Sequence, residues 1–194
     1  VLLDSKASEF KAIKKKKSYQ EHLERLVAAK PYKPSTDIKV WTDKKEYEIK
    51  EKIVFYIKAD KKGYLTMLDI SPSGDITVIF PNKFHSDNFI HSGVTYQVPA
   101  PNYGFEFNVQ GPTGLERIKA IVTSNNISLL KLDLGEGFHS IKRETTRGTR
   151  AIQVLSKQVE SVGNSEWAEA YSEIFIFEAG ETFTRGSRQI PVLE

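Results

Sequence analysis

The chain has 194 residues, no cysteine, and a formal charge of +3 from 28 basic and 25 acidic side chains. That length suits one buried core with appendages. The lack of thiols excludes disulfide frameworks, cysteine nucleophiles and thiolate zinc sites, and a charge excess carried by one run, Lys14-Lys15-Lys16-Lys17, argues against nucleic acid as a partner.

From Ser5 to Lys30 the good helix formers Lys, Glu, Gln and Ala separate Phe10, Ile13, Tyr19, Leu23, Leu26 and Val27. The spacing predicts one helix or two, packed by a narrow apolar stripe with the lysines in water. Pro31 and Pro34 end it, and Lys30 to Ser35 reads as an extended linker. Residues 1–36 are therefore expected to be a helical arm with a proline-containing linker. Lys14, Lys15, Lys16 and Lys17 make peripheral contact with anionic lipid conceivable, against the plainer reading of a solvated helix face.

From Ile38 the period changes to two. Ile53, Phe55 and Ile57 alternate with Val54, Tyr56 and Lys58, then come the turns Asp60-Lys61-Lys62-Gly63 and Ser71-Pro72-Ser73-Gly74-Asp75, with strands from Tyr64 to Ile70 and from Ile76 to Phe80. This predicts a three-strand meander in which Gly63 supplies a positive φ. Pro81-Asn82 stops the third strand, and Lys83 to Gly93 reads as a surface loop. Strand signals return at Val94–Val98, Phe105–Val109 and Leu115–Thr123, with Gly111-Pro112-Thr113-Gly114 as a turn.

Leu129 to Leu134 suggests a short helix or turn, and Ile152, Leu155 and Val159 have helical spacing. Trp167 to Phe177 is a strand with large residues on one parity and small or aliphatic ones on the other. The expected fold is mainly β: an antiparallel sandwich of about seven strands, Ig-like or a related Greek key, with an N-terminal helix and a short late helix. The expected divisions are the sandwich at 37–180 and a tail at 181–194.

Chemistry is sparse. His85, Asp87 and His91 supply ligand types without a metal-binding spacing, and no Gly-x-Ser-x-Gly elbow or phosphate loop occurs. Gly135-Glu136-Gly137-Phe138 reads as a plain turn. The turns at Asp60 and Asp75 lack the spaced acids of a calcium loop. Asp69 shares the parity of Leu65 and Met67 and is expected to be a structural carboxylate with a partner, its rival role being a general acid. No cofactor is expected. No apolar run reaches membrane-spanning length, and the start at Val1 is read as a trimmed cytosolic chain or one that has lost a targeting segment.

The order Val40-Trp41-Thr42, Tyr47 to Phe55, Ala59-Asp60-Lys61-Lys62-Gly63-Tyr64-Leu65, Asp69-Ile70-Ser71-Pro72-Ser73-Gly74 and Phe80-Pro81-Asn82 resembles a bacterial domain family of unknown function. That family is commonly appended to caspase-like peptidases, protein kinases and lipoproteins. The likeness continues through Asn88-Phe89-Ile90, Val98-Pro99, Pro112-Thr113-Gly114, Ile118 to Thr123, Arg147 to Ile152 and Trp167-Ala168-Glu169-Ala170, and so covers 37–178. It brings no catalytic set. It implies an accessory module, exported and periplasmic or associated with the cell envelope, that binds a protein partner or an envelope component.

The candidate binding residues are His85, Asp87, Asn88 and His91 on the loop, with Tyr96 and Tyr103, and Phe105 beside them as a candidate for core packing. Two alternatives remain. The chain is the regulatory or substrate-recognition part of a larger enzyme, or a hydrolase or metal-dependent enzyme with a site built from Asp69, His85, Asp87 and His91.

Overall fold

The computed structural model describes residues 2–126, 138–143, 145–163 and 166–180. Its elements in chain order are α1 (Leu2–Ala28), β1 (Ile38–Thr42), β2 (Glu46–Glu48), β3 (Lys52–Ile53), β4 (Phe55–Ala59), β5 (Gly63–Ile70) and β6 (Ile76–Phe80). There follow β7 (Phe89–Ile90), β8 (Thr95–Val98), β9 (Phe107–Asn108), β10 (Gly114–Thr123), β11 (His139–Ile141), α2 (Thr146–Ser161) and β12 (Trp167–Phe177). The protein is mainly β and sandwich-like, with twelve strands and two helices among the described residues and no closed barrel.

A seven-stranded sheet forms the central layer, in the order β11-β6-β5-β10-β12-β2 with β7 paired to β5. On one side lies the three-stranded sheet β1-β4-β8, with the short pair β3-β9 near it in the chain; on the other lie the helices. Strand parity builds this arrangement, because successive side chains point to opposite faces. On β10, Ile118, Ala120 and Val122 enter the core shared with Ile57, Leu65 and Phe80, whereas Ile121 enters a second core with Tyr19, Leu26, Ile152 and Leu155. Parity alone lets β5 serve both cores, Leu65 and Met67 in the first, Leu68 and Ile70 in the second. The register shift between Met67 and Leu68 leaves Ile79 as the extra residue on β6, where Ile79 and Phe80 both enter the first core.

The expected meander is not formed. β4 belongs to the small sheet and β5 to the large one, so the turn at residues 60–62 is a corner between sheets. Gly63 is not at positive φ; it is needed because a Cβ there would lie 2.6 Å from Val122 Cγ1 and 2.7 Å from the Thr123 carbonyl. Nor is the pairing purely antiparallel, since β2 runs parallel to β12. The loop expected at 83–93 contains the short strand β7. The features expected at 129–134 and 135–137, and the tail 181–194, lie outside the described residues.

Residues 9 and 11–17 of α1 are exposed, but from Tyr19 onward the helix is built into the second core through Tyr19, Leu23 and Leu26. The Tyr19 hydroxyl donates to the carbonyls of Gly74 (2.8 Å) and Ile141 (3.2 Å), pegging the helix to the β5–β6 turn and to β11. α2 starts on a Thr145 cap whose side chain accepts from Gly148 N. Gly148 passes so close to the Lys142 carbonyl that a Cβ would stand 1.8 Å from it.

Candidate functional site

Five of the six candidate residues converge. His85, Asp87, His91, Tyr96 and Tyr103 line one cavity of about 240 Å³ with Leu65, Phe80, Phe89, Ile90 and Val98. Asn88 does not line it. Its side-chain amide donates to the Leu65 carbonyl at 2.9 Å while its own carbonyl accepts from Leu65 N at 2.8 Å, so it continues the pairing of β5 with β7.

The loop is held from beneath by Asn82, which is fully buried. Its Nδ2 donates to the Ile79 carbonyl at 2.8 Å, and its Oδ1 accepts from Phe84 N at 2.9 Å and His85 N at 3.0 Å. This lays the His85 ring on Tyr103, centroids 3.7 Å apart and planes 11° from parallel. Phe80 stacks with both, at 5.9 and 6.1 Å. The Tyr96 hydroxyl accepts from His91 N at 2.8 Å, and Asp87 Oδ1 accepts from Phe89 N at 3.1 Å. Burial raises the pKa of the Tyr103 hydroxyl, with Tyr96 and Asp87 adding to the shift.

Aromatic contacts lead from Tyr103 away from this cavity. Tyr103 meets Phe105 at 6.0 Å, Phe105 meets Phe107 at 5.3 Å, and Phe107 meets Phe138 at 5.4 Å. Phe84 joins from the side, 5.7 Å from Phe105, and is 51% exposed. Phe105 is thus neither core nor free: it is half-buried inside a ridge of rings.

The ridge ends at a larger cleft of about 450 Å³, lined by Phe107 and Phe138 together with Asp69, Glu116, Thr77, Ser140 and Lys142. Asp69 and Glu116 come from adjacent strands on the sandwich side of the large sheet. Asp69 is buried against a second carboxyl, Glu116, and is not fully satisfied, since its Oδ1 has no hydrogen-bond partner among the described residues. Burial raises the pKa of both groups, and Asp69 pushes Glu116 further up. A hydrogen bond between them favours the ionised form of Asp69 and the protonated form of Glu116, so the pair shares a proton. Asp75, at the edge, is already engaged: Oδ1 accepts from Arg143 N at 2.7 Å and Oδ2 lies 3.3 Å from Lys142 Nζ.

The enzyme constellation therefore does not assemble. Asp69 faces the larger cleft, whereas His85, Asp87 and His91 line the smaller cavity. Among the described residues no three of His, Asp or Glu are grouped to hold a metal. His22 lies between the helices, its Nδ1 3.0 Å from Ser156 Oγ.

Two residues with a part in these sites, and a third on the helical side of the sheet, went unread in the sequence. Glu116 shares the inward parity of Ile118, Ala120 and Val122, and a carboxylate on a buried parity was the available signal. Asn82 carried none beyond its place after a strand end. Lys119 reads as an ordinary outward lysine, yet it is fully buried.

Residues 46–126 match the family model described as Domain of unknown function (DUF4384). The resemblance is found over that span, which carries β2 to β10 and most of both cavities. Residues 147–152 and 167–170 fall outside it, although β12 pairs with β10 over ten successive residues and completes the same sheet. No curated protein and no solved structure matches the chain.

Proposed function

We propose that the protein is a non-catalytic binding module that takes an extended segment of a protein partner along its aromatic ridge. The observation that carries this reading is the unbroken run of ring contacts joining two cavities of different chemistry. Partly exposed rings are the common anchors of protein interfaces, since they offer large contact area at little conformational cost. The smaller cavity, at about 240 Å³, suits one large apolar or aromatic side chain. The larger, with its carboxyl pair, suits a basic or hydrogen-bonding one.

The test is selection from a displayed random-peptide library against the whole chain and against its Tyr103→Ala variant. Enrichment of aromatic-containing peptides that the variant fails to retain supports the reading. Equal recovery on both proteins contradicts it.

A hydrolase working through Asp69 and Glu116 is the second reading, favoured by a carboxyl pair that shares a proton inside a cleft. Screening peptide, ester and glycoside substrates with the parent chain and with Glu116→Gln separates the two, because only an enzyme gives turnover that the variant loses.

A further inference from the structure

The helical layer lies on the opposite side of the central sheet from the core that borders both cavities, and its charge is concentrated at one end. α1 and α2 run in the same direction: Lys15 Nζ donates to Thr146 Oγ1 at 2.7 Å at the start of α2, and His22 meets Ser156 further along. The exposed segment of α1 therefore reaches the beginning of α2. That segment, residues 9 and 11–17, carries Lys11 and Lys14 to Lys17 against the single acid Glu9. The first turn of α2 has no acidic residue, and Arg147 within it and Arg150 just after it are exposed.

Positive side chains at the positive end of a helix dipole are locally unfavourable. Among the described residues no ion pair joins Arg147 or Arg150 to a carboxylate, and Asp75 is already bound by Lys142 and Arg143 N. An external anion would relieve this crowding. The surface also exposes two large aliphatics, Ile13 at 58% and Val154 at 49%. Val154 lies on the face of α2 that carries Arg147 and Arg150, by the three- and four-residue spacing of a helix. A polynucleotide backbone offers nothing to an aliphatic side chain, whereas the headgroup boundary of a bilayer accommodates it beside the cations that bind the headgroups. No helix among the described residues is long and apolar enough to cross a membrane, so the contact is one of lying on the surface.

We propose that the basic ends of α1 and α2 form one docking surface for an anionic phospholipid bilayer, with Lys14, Lys15, Arg147 and Arg150 on the headgroups and Ile13 and Val154 in their boundary. Docked in this way, the protein keeps the aromatic ridge turned away from the membrane.

The test is cosedimentation of the full 194-residue chain with vesicles of phosphatidylcholine, with and without about 30% phosphatidylserine. The protein pellets only with the anionic vesicles and is released as salt is raised. Arg147→Gln with Arg150→Gln lowers partitioning about tenfold or more while the circular dichroism spectrum stays that of the parent. Ile13→Glu, on the exposed part of α1, also weakens binding and gives the readout if the arginine variant does not fold. Equal binding to neutral vesicles, an arginine variant that folds and binds like the parent, an Ile13→Glu variant that binds like the parent, or release of the protein from vesicles by duplex DNA would each overturn the proposal.

Discussion

Strands β10 and β5 bring ionisable side chains into both sides of the central sheet, and the two sides treat them in opposite ways. Lys119 enters the helical side and finds every donor used: Nζ donates to the Ala29 carbonyl at 2.6 Å, to the Tyr171 hydroxyl at 2.5 Å and, more weakly, to the Val27 carbonyl at 3.4 Å. Tyr171 in turn donates to the Val27 carbonyl. Glu169 Oε2, 3.4 Å from Nζ, supplies charge without an aligned hydrogen bond. These carbonyls belong to the end of α1, where helices leave acceptors unsatisfied, so the lysine ties the sheet to the helix. Burial pulls its ammonium down to about 8, with Glu169 acting in the opposite direction. On the sandwich side, Asp69 and Glu116 have mainly each other and open onto a cleft. A saturated group serves the scaffold. A pair that keeps hydrogen-bonding capacity beside a cavity serves recognition.

The largest effect is expected from Lys119→Met, which breaks the saturated side. It leaves Glu169 without its cation and the Ala29 carbonyl without the Lys119 donor, while Val27 keeps Tyr171, at a cost of about 3 kcal/mol. Urea unfolding measures the loss, and hydrogen exchange shows α1 opening ahead of the sheets. Asn82→Ala comes next and tests whether the smaller cavity is pre-formed. Losing its side-chain bonds to Ile79, Phe84 and His85 costs about 2 kcal/mol. The His85 and Tyr103 ring resonances then move toward exposed values in NMR spectra.

Glu116→Gln has the smallest effect and sharpens the comparison most. The folded pKa of each carboxyl lies above its unfolded value, so the folded chain binds the shared proton more tightly than the unfolded chain does. Their contribution to stability is complete below the ordinary carboxylate range and is lost as pH rises through and beyond neutral. With a neutral amide at 116 that decline flattens, and at about pH 8 the variant is expected to be about 1 kcal/mol more stable than the parent. Chemical denaturation across pH is the measurement.

Parity was legible in the sequence, and with it most of the fold. The alternation in Leu115 to Thr123 and in Trp167 to Phe177 located the two longest strands and implied that both faces of the second are covered. Sheet membership was not legible. Asp60 to Gly63 has the composition of a hairpin turn, and nothing local records that the chain there leaves one sheet for another, because that choice is made by the contact of Gly63 with Val122 and Thr123, about sixty residues on. The smaller cavity was legible as a loop with aromatics beside it, since His85, Asp87, His91, Tyr96 and Tyr103 lie within twenty residues. The carboxyl pair was half legible. Asp69 stood out on an inward parity, but its partner comes from a strand that only tertiary pairing brings alongside.

The contrast between a saturated tether and an unsaturated recognition cleft is tested most directly by the unfolding free energies of Lys119→Met and Glu116→Gln, each measured against the parent at about pH 8, above the ordinary carboxylate range. The account predicts a loss of about 3 kcal/mol for the first and a small gain for the second. A Glu116→Gln variant destabilised as much as Lys119→Met would contradict it, because the carboxyl pair would then be part of the scaffold.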